Sequence, residues 1–385
     1  MVTEKNDVKN TMQIHSQAKV EFYRKYLERY LVILCAAPNI KHINIYDVFC
    51  GMGIYDDGGK GSPIVAYDLV RELYEGNKIK QGTEITLIIN DKDKNRISKV
   101  MDYISKHEHP YCKVEPYNLD IEEMFQEILP RINDSTNDTR NLVFIDPYGY
   151  KNINKDLICD LIENGKTEII LFLPISPMQR FTDAAVKDEK EMAQYKPLRD
   201  FVNSFFPDPD HPIRQNTISV KEYIRYVTEA LRLNDDIYTT FFYLERAKST
   251  FFALFFISTN IYGFEKILDV KWVLDEEKGM GFNIPDRIGN LFEEEMALES
   301  KQNNAFRLKK LLEEYLKKGR TNIEVYEFVL RNEFLPKHAT EVLKCIQKEN
   351  PKFKIFDMTR DYSAQKGAFY IRHNPTKLVI MEIEQ

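Results

Sequence analysis

The chain has 385 residues, of which 43% are hydrophobic, so it is long enough to bury one large core and a second, smaller one. A net charge of -6 excludes a protein that coats nucleic acid with a uniformly basic surface, although a local basic face is compatible with it. The scattered cysteines form no CxxC pair and the histidines no HExxH motif, which argues against a metal site, and no apolar run reaches membrane-spanning length, which predicts a soluble cytoplasmic protein.

The first half of the chain alternates between predicted helices and strands. An amphipathic helix is predicted over residues 18–35. Strands are predicted at residues 43–49, 84–90, 113–117, 141–145 and 168–173, and helices at residues 63–74, 121–129 and 155–163, with a charged helix after residue 91. Such alternation is typical of a parallel sheet with helices on both faces, and the nearly continuous apolar character of the strands fits burial on both sides.

The middle of the chain predicts how this sheet ends. Residues 175–235 are charged and carry several prolines, which indicates helical insertions over the carboxyl edge of the sheet. Two strand-like runs then follow closely, at residues 238–244 and 251–259, and predict an antiparallel hairpin. We therefore predict an α/β fold with a doubly wound, mostly parallel Rossmann-like sheet ending in an antiparallel hairpin. That arrangement is usual in methyltransferases, whereas dinucleotide dehydrogenases have an all-parallel sheet.

The C-terminal part predicts a second domain. Helices are predicted at residues 305–317, 322–330 and 337–347, followed by short strands at residues 354–358 and 368–372 around a polar turn. Three helices and a hairpin are the pattern of a winged helix. The predicted domains are residues 1–295, Rossmann-like, and residues 300–385, winged-helix-like.

A glycine-containing turn follows the first predicted strand, in the run Asp47-Val-Phe49-Cys-Gly51-Met-Gly53. Glycines allow a tight turn and let a ligand approach the backbone closely. The acid before the glycines can receive the ammonium of S-adenosylmethionine, whereas the dinucleotide fingerprint needs a third glycine where this chain has Asp56. The run therefore predicts that Asp47, Phe49, Gly51 and Gly53 bind S-adenosylmethionine.

Two further acids end the next two predicted strands. Asp91 ends the second strand, where a carboxylate can accept hydrogen bonds from both ribose hydroxyls of the cofactor. Asp120 ends the third strand and is predicted either to contact the adenine amine or to cap the helix that begins at Ile121.

The run Asp146-Pro147-Tyr148-Gly149-Tyr150 closes the fourth predicted strand and resembles the Asp/Asn-Pro-Pro-Tyr signature of amino-group methyltransferases. In that chemistry an acid or amide oxygen and a proline carbonyl orient the acceptor amine. Here Tyr148 replaces the second proline and Gly149 the aromatic residue. We predict catalytic roles for Asp146, Pro147 and Tyr148 on a nucleic-acid base amine, and substrate binding by Tyr150. The alternative is a turn in which Asp146 only caps a helix or anchors the loop.

Lys60 and Ser62 come shortly after the glycine turn and are predicted to bind substrate or to cover the methionine end of the cofactor. The alternative, compatible with the first, is that Ser62 caps the helix that carries Pro63 in its first turn.

Taken together, these segments resemble the bacterial three-Cys-motif partner family (TcmP). The residues that carry the resemblance are Gln17-Ala-Lys19, Arg24-Lys25-Tyr26-Leu27, Tyr46-Asp47-Val-Phe-Cys-Gly-Met-Gly-Ile-Tyr55, Gly61-Ser62-Pro63, Asp91, Phe144-Ile-Asp146-Pro-Tyr-Gly149 and Trp272. Cys50 stands where the family pattern has alanine. The resemblance implies a methyltransferase-like Rossmann fold and a partner protein with three cysteines, of radical or iron–sulfur type.

The predicted C-terminal domain is rich in cations, which predicts contact with DNA or RNA phosphates unless the surface is simply solvated or docks a protein. The cations are Arg307, Lys309, Lys310, Lys317, Lys318, Arg320, Lys337, Lys344, Lys348, Lys352 and Lys354. Two classes of function therefore stay open: a methyltransferase acting on nucleic acid, or a non-catalytic or protein-directed partner subunit.

Overall fold

The computed structural model describes residues 11–79, 82–147, 149–187, 192–215, 218–247, 250–276, 279–283, 293–357, 362–363 and 367–384. The chain divides into two compact units. The first comprises Met1–Gly263 with Gly281–Ile284, and the second comprises Phe264–Met280 with Pro285–Gln385.

The first unit is built on one large sheet. Its strands are β1 His42–Asp47, β2 Glu84–Asn90, β3 Lys113–Tyr117, β4 Thr139–Ile145, β5 Thr167–Leu173, β6 Tyr238–Ala247, β7 Thr250–Ser258 and β8 Gly281–Asn283. They lie in the order β3-β2-β1-β4-β5-β7-β6-β8. Neighbours among β1 to β5 pair in parallel, whereas β7 is antiparallel to both β5 and β6. The predicted α/β fold, mostly parallel with a terminal hairpin, is confirmed; the short β8 was not predicted.

Helices separate the strands up to residue 235 as the alternating pattern predicts, whereas the last helix of the following series was not predicted and belongs mostly to the second unit. They are α1 Ile14–Ala36, α2 Ser62–Glu75, α3 Lys94–Lys106, α4 Ile121–Asn133, α5 Lys155–Ile162, α6 Ile175–Val186, α7 Lys196–Phe205, the 3-10 helix Pro212–Arg214, α8 Val220–Leu231 and α9 Ile261–Leu274. Side-chain caps begin several of them. Asn154 accepts the Leu157 N–H at 2.8 Å before α5, and Ser219 forms a capping box before α8. Helices α6 to α8 occupy the predicted insertion.

The strand order reverses between β1 and β4. In open α/β sheets this switch point creates a crevice at the carboxyl ends of the strands, which is where ligands bind. Asp47 ends β1 and lies beside Phe144 of β4 in the parallel register. The glycine turn and the Asp146 loop therefore meet at the edge of the sheet where a ligand is expected.

The N-terminal helix α1 packs on the sheet through aromatic side chains. Tyr23 stacks on Phe144 with ring centroids 4.5 Å apart, and Phe22 stacks on Phe242 at 5.2 Å. Both α1 residues are fully buried. This packing fixes the first turns of α1 over the carboxyl edge of the sheet.

The second unit contains helices and a small sheet. Its remaining elements are α10 Glu293–Tyr315, α11 Asn322–Arg331, α12 Pro336–Glu349, β9 Arg320–Thr321, β10 Phe353–Asp357, β11 Tyr362–Ser363 and β12 Val379–Ile383. The strand order is β11-β10-β12-β9, and each pair is antiparallel.

The strand predicted at residues 368–372 was wrong. That segment is a loop, and β12 pairs with β10 instead. Tyr370 has a φ of 50°, which a strand cannot accommodate, and the Asn322 side-chain amide donates to the carbonyls of Tyr370 and Lys377. The apolar side chains Phe369 and Ile371 are buried nevertheless, so their burial gave the segment a strand-like pattern.

Within the described part of the chain, we find no helix whose length and apolar character would let it cross a bilayer.

Candidate functional site

A cleft of about 850 Å³ lies at the carboxyl edge of the large sheet, within the range usual for small-molecule sites. It is lined by the start of α1 with the residues before it, the glycine turn after β1, the start of α2, Arg96 of α3, the Asp146 loop after β4, and β5 with β7. The lining residues are Thr11, Gln13, His15, Ser16, Lys19, Val20, Phe49, Cys50, Gly51, Met52, Gly53, Tyr55, Gly61, Ser62, Arg96, Asp146, Pro147, Gly149, Phe172, Pro174 and Phe252.

The glycine turn needs glycine at both positions. Gly51 and Gly53 have φ values of 63° and 69°, which residues other than glycine rarely adopt. A Cβ on Gly51 would meet nothing within 4 Å, so its backbone is open to a ligand in the cleft. A Cβ on Gly53 would lie 2.6 Å from Val100 Cγ2. The turn is closed by the Gly61 N–H, which donates to the Gly53 carbonyl at 2.6 Å.

Asp47 lies beneath this turn and has no access to solvent. Neither Asp47 nor Asp91 is among the residues lining the cleft; both lie behind the glycine turn that lines it. Neither carboxylate oxygen of Asp47 makes a hydrogen bond of ordinary geometry with a described residue, although the Ser62 hydroxyl and the Phe49 N–H are close enough to favour its ionised form. Burial raises the pKa of Asp47 to about 7, and the nearby Asp146 adds to this rise, while the Ser62 hydroxyl and the Lys19 ammonium oppose it. Burying a carboxyl group without a well-formed hydrogen bond costs free energy, which a cationic or hydrogen-bonding ligand at this position would offset.

Asp91 at the end of β2 is buried and already accepts several hydrogen bonds. Its Oδ2 accepts the Gly51 N–H and an Arg96 N–H, both at 3.2 Å, and its Oδ1 accepts the Asp93 N–H at 2.9 Å. Asp91 thus stabilises the glycine turn through the Gly51 N–H. The side chain that faces the cleft near the end of β2 is Arg96. A ribose held by Asp91 would have to share its Oδ2 with Arg96 or displace that guanidinium.

Asp120 is the N-cap of α4. Its side chain accepts the Glu122 N–H at 3.3 Å, and Glu123 accepts the Asp120 N–H at 3.2 Å to complete a capping box. Its side chain is 45% exposed and is absent from the residues lining the cleft. Of the two roles predicted for Asp120, the structure shows the N-cap of α4.

Asp146 lines the cleft and forms an ion pair with Lys19 of α1. Pro147 and Gly149 line it as well, and the Pro147 carbonyl accepts the Gly149 N–H at 2.9 Å. Tyr148, the third predicted catalytic residue, lies outside the described residues.

An aromatic wall of His15, Phe252 and Phe172 faces the cleft. The rings of His15 and Phe252 stack 4.8 Å apart and nearly parallel, and those of Phe252 and Phe172 stack 5.4 Å apart. The Lys19 ammonium lies 4.7 Å from the centre of the Phe172 ring. Such a wall suits a flat ligand beside Asp146.

The residues predicted to bind substrate lie in different places. Ser62 is buried in the cleft wall and begins α2, but Gly61 is the N-cap residue, so the predicted Ser62 cap was wrong. Lys60 pairs with Asp68 at 2.7 Å. Tyr150 packs against the hydrophobic core, and burial raises its pKa to about 12. Neither Lys60 nor Tyr150 is among the residues lining the cleft.

Sequence reasoning did not assign Lys19, His15, Arg96, Phe172 and Phe252 to the site. Four of them come from elements whose position over the cleft is set by packing: α1, β5 and β7. Arg96 carried one usable signal, because it follows Asp91 by five residues in the helix that begins after β2.

No protein-family model matches the chain. No curated protein matches it either.

Solved structures that the chain resembles include three with S-adenosylhomocysteine (SAH). One is the plantazolicin methyltransferase BamL, 11% identical, with 63% of this chain and 87% of that chain covered and a TM-score of 0.30. Another is the O-methyltransferase from Bacillus cereus, 10% identical, with 61% and 80% covered and a TM-score of 0.31. A third is TrmK of M. capricolum, 11% identical, with 83% and 96% covered and a TM-score of 0.25. At such low identities and TM-scores these likenesses carry no functional weight. The class defined by the fold itself is an α/β protein with a mostly parallel sheet, a terminal hairpin and a cleft at its switch point.

Proposed function

We propose that this protein is an S-adenosylmethionine-dependent methyltransferase. The observation that carries the proposal is the buried carboxyl group of Asp47, which makes no hydrogen bond of ordinary geometry with the described residues and lies under a glycine turn at the switch point of the sheet. An amino-acid ammonium is a donor of suitable charge for this position. The sulfonium cofactor carries such an ammonium, whereas a dinucleotide would bring a pyrophosphate.

The residues present fit the proposed cofactor. Asp47, beneath the glycine turn, would hold its ammonium, and the open face of Gly51 would lie against its chain. Asp91 would hold its ribose by sharing its Oδ2 with Arg96 or by displacing that guanidinium. When bound, the cofactor supplies an electrophilic methyl group. The contribution of the chain is to position the acceptor and exclude water, because displacement from a cation needs alignment and desolvation more than strong acid–base help.

We propose a nucleic-acid base amine as the acceptor, held by the loop of Asp146, Pro147 and Tyr148. Asp146 has acceptor oxygens in the cleft, and the aromatic wall beside it offers a stacking surface for a flat base. The Pro147 carbonyl keeps a second lone pair for an amine hydrogen besides the bond from Gly149. A base presented this way would have to be single-stranded or flipped from its duplex.

We further propose that the C-terminal unit is a winged-helix-like module that contacts nucleic acid. Three helices followed by an antiparallel sheet support this reading, as do its exposed lysines. Glutamates dilute that charge, since Lys309 pairs with Glu349 and Arg320 with Glu324. Membership of the three-Cys-motif partner family, and a partner with three cysteines, rest on the motif resemblance alone.

Calorimetric titration with S-adenosylmethionine tests the proposal. Asp47→Asn keeps the shape of the side chain but removes its charge, so we expect affinity to fall by about 10- to 100-fold. Asp102→Asn is the matched control, because Asp102 is exposed and pairs with Lys106 on the surface of α3. A folded wild-type protein that shows no saturable binding, or an Asp47→Asn variant that binds like the wild type, would contradict the proposal.

A further inference from the structure

The ion pair between Lys19 and Asp146 fills the acceptor side of the cleft. Both side chains are mostly buried, with 12% and 21% of their surfaces exposed. Asp146 Oδ2 is the oxygen that Lys19 engages. In this arrangement Lys19 occupies part of the group proposed to hold the acceptor amine.

Lys19 is also a cation close to Asp47, which is proposed to hold the ammonium of the cofactor. It lies on the cleft wall and is close enough to Asp47 to lower its pKa. Arg96, the other strongly basic side chain among the described residues of the cleft wall, is bound to Asp91 at the opposite end. A zwitterionic amino-acid group needs an anion for its ammonium and a cation for its carboxylate, and Asp47 and Lys19 form such a pair.

We propose that Lys19 serves two anions in turn: Asp146 when the cleft holds no cofactor, and the cofactor's carboxylate when it does. This inference rests on the proposed function. The ion pair of Lys19 and Asp146 is therefore a latch, which keeps the acceptor carboxylate engaged until the cofactor binds. No bond is made or broken in this exchange; one ion pair replaces another of the same charge type, so the electrostatic cost of opening the latch is offset. Acceptor binding is expected to follow cofactor binding.

Comparing two ligands distinguishes the proposed role of Lys19 from cofactor binding by the rest of the cleft. S-adenosylmethionine carries the carboxylate, whereas decarboxylated S-adenosylmethionine keeps the ammonium and the sulfonium but lacks it. We expect the wild type to prefer the first, and Lys19→Gln to lose about tenfold of that preference. The preference is the ratio of the two affinities, because the higher pKa of Asp47 in this variant weakens both ligands alike. Lys25→Gln is the matched control, because Lys25 lies on the same helix and pairs with Glu21 at the surface.

Asp146→Asn tests the competition directly. Removing the carboxylate frees Lys19, so the preference for S-adenosylmethionine over the decarboxylated compound is expected to rise by up to about tenfold. The lower pKa of Asp47 in this variant strengthens both ligands alike, so the ratio of their affinities isolates the effect of Lys19. A loss of preference equal to that of Lys19→Gln would overturn the latch, because the two residues would then act as one supporting unit.

The outcomes also distinguish the latch from the proposed function. If the folded wild type binds neither compound, the proposed function fails and the latch fails with it. If the wild type binds S-adenosylmethionine and Lys19→Gln keeps the preference for the carboxylate, the latch alone fails. Lys19→Arg retains a cation and is expected to keep the preference, which separates charge from packing should Lys19→Gln fold poorly.

Discussion

Asp47 combines complete burial with the lack of a hydrogen bond of ordinary geometry to the described residues, and this makes the proton on its carboxyl group part of ligand binding. Burial raises its pKa to about 7 in the free protein. A cationic ligand at this position stabilises the ionised form, so the bound state holds fewer protons than the free state below that pKa.

We therefore expect S-adenosylmethionine to bind about tenfold more tightly as the pH rises from about 5.5 to 7, with release of about one proton near pH 6. Calorimetry in two buffers of different ionisation enthalpy measures that release. Glu168→Gln is the control, because it removes the other buried carboxyl group raised to a pKa of about 7 yet should leave the release intact. Affinity that is flat over this range would show that Asp47 does not meet the ligand's charge.

At the scale of single residues, the sequence identified Asp47 because an acid precedes two glycines at a strand end. That its oxygens make no hydrogen bond of ordinary geometry with the described residues depends on which side chains fold over it, and only the structure provides this. Lys19 is the converse case. Its sequence neighbourhood is an ordinary amphipathic helix, and its role follows from the stacking of Tyr23 on Phe144, which holds α1 over the cleft.

The helix α4 illustrates how an acid at a strand end can serve an element instead of a site. The Asp120 side chain caps the first turn of α4. The sequence left this role and adenine binding open, because both need an acid between a strand and a helix.

Asp120→Ala is expected to destabilise the protein by about 1 kcal/mol through loss of the cap and to leave cofactor affinity unchanged. Ser219→Ala, which removes the equivalent cap of α8, should cost a similar amount. Denaturant unfolding and calorimetry together check both statements. A specific loss of affinity in Asp120→Ala, not seen in Ser219→Ala, would restore the adenine role.

At the scale of the whole molecule, stability depends on pH through two buried carboxyl groups among the described residues. Glu168 accepts hydrogen bonds from the hydroxyls of Tyr26 and Ser258, and burial raises its pKa from 4.5 to about 7. Burial likewise raises the pKa of Asp47 from 3.8 to about 7. At a pH between the unfolded-state pKa and the folded-state pKa of such a group, the unfolded chain has lost the proton that the folded chain keeps. The unfolded state then binds fewer protons, so stability falls as the pH rises.

We expect the free energy of unfolding of the free protein to decrease from about pH 4.5 to about pH 7 and then to level off. Each group contributes up to about 3 kcal/mol. Glu168→Gln should remove the contribution of Glu168 to the fall of the unfolding free energy with pH. The amide still accepts a hydrogen bond from Tyr26 but does not ionise. Urea unfolding at several pH values provides the measurement, and a variant with the wild-type slope would refute the assignment.

The sequence by itself determined the order of elements in the first unit, the mostly parallel sheet and the glycine turn at its carboxyl edge. These follow from periodicity, apolar strands and the conformational freedom of Gly51 and Gly53, which are local properties of the chain. The tertiary structure alone decided that Asp47 makes no hydrogen bond of ordinary geometry with the described residues, that Lys19 pairs with Asp146, that Asp120 is outside the cleft and that residues 368–372 form a loop. Each of those depends on contacts between segments distant in sequence, and no local pattern encodes which partner a side chain meets.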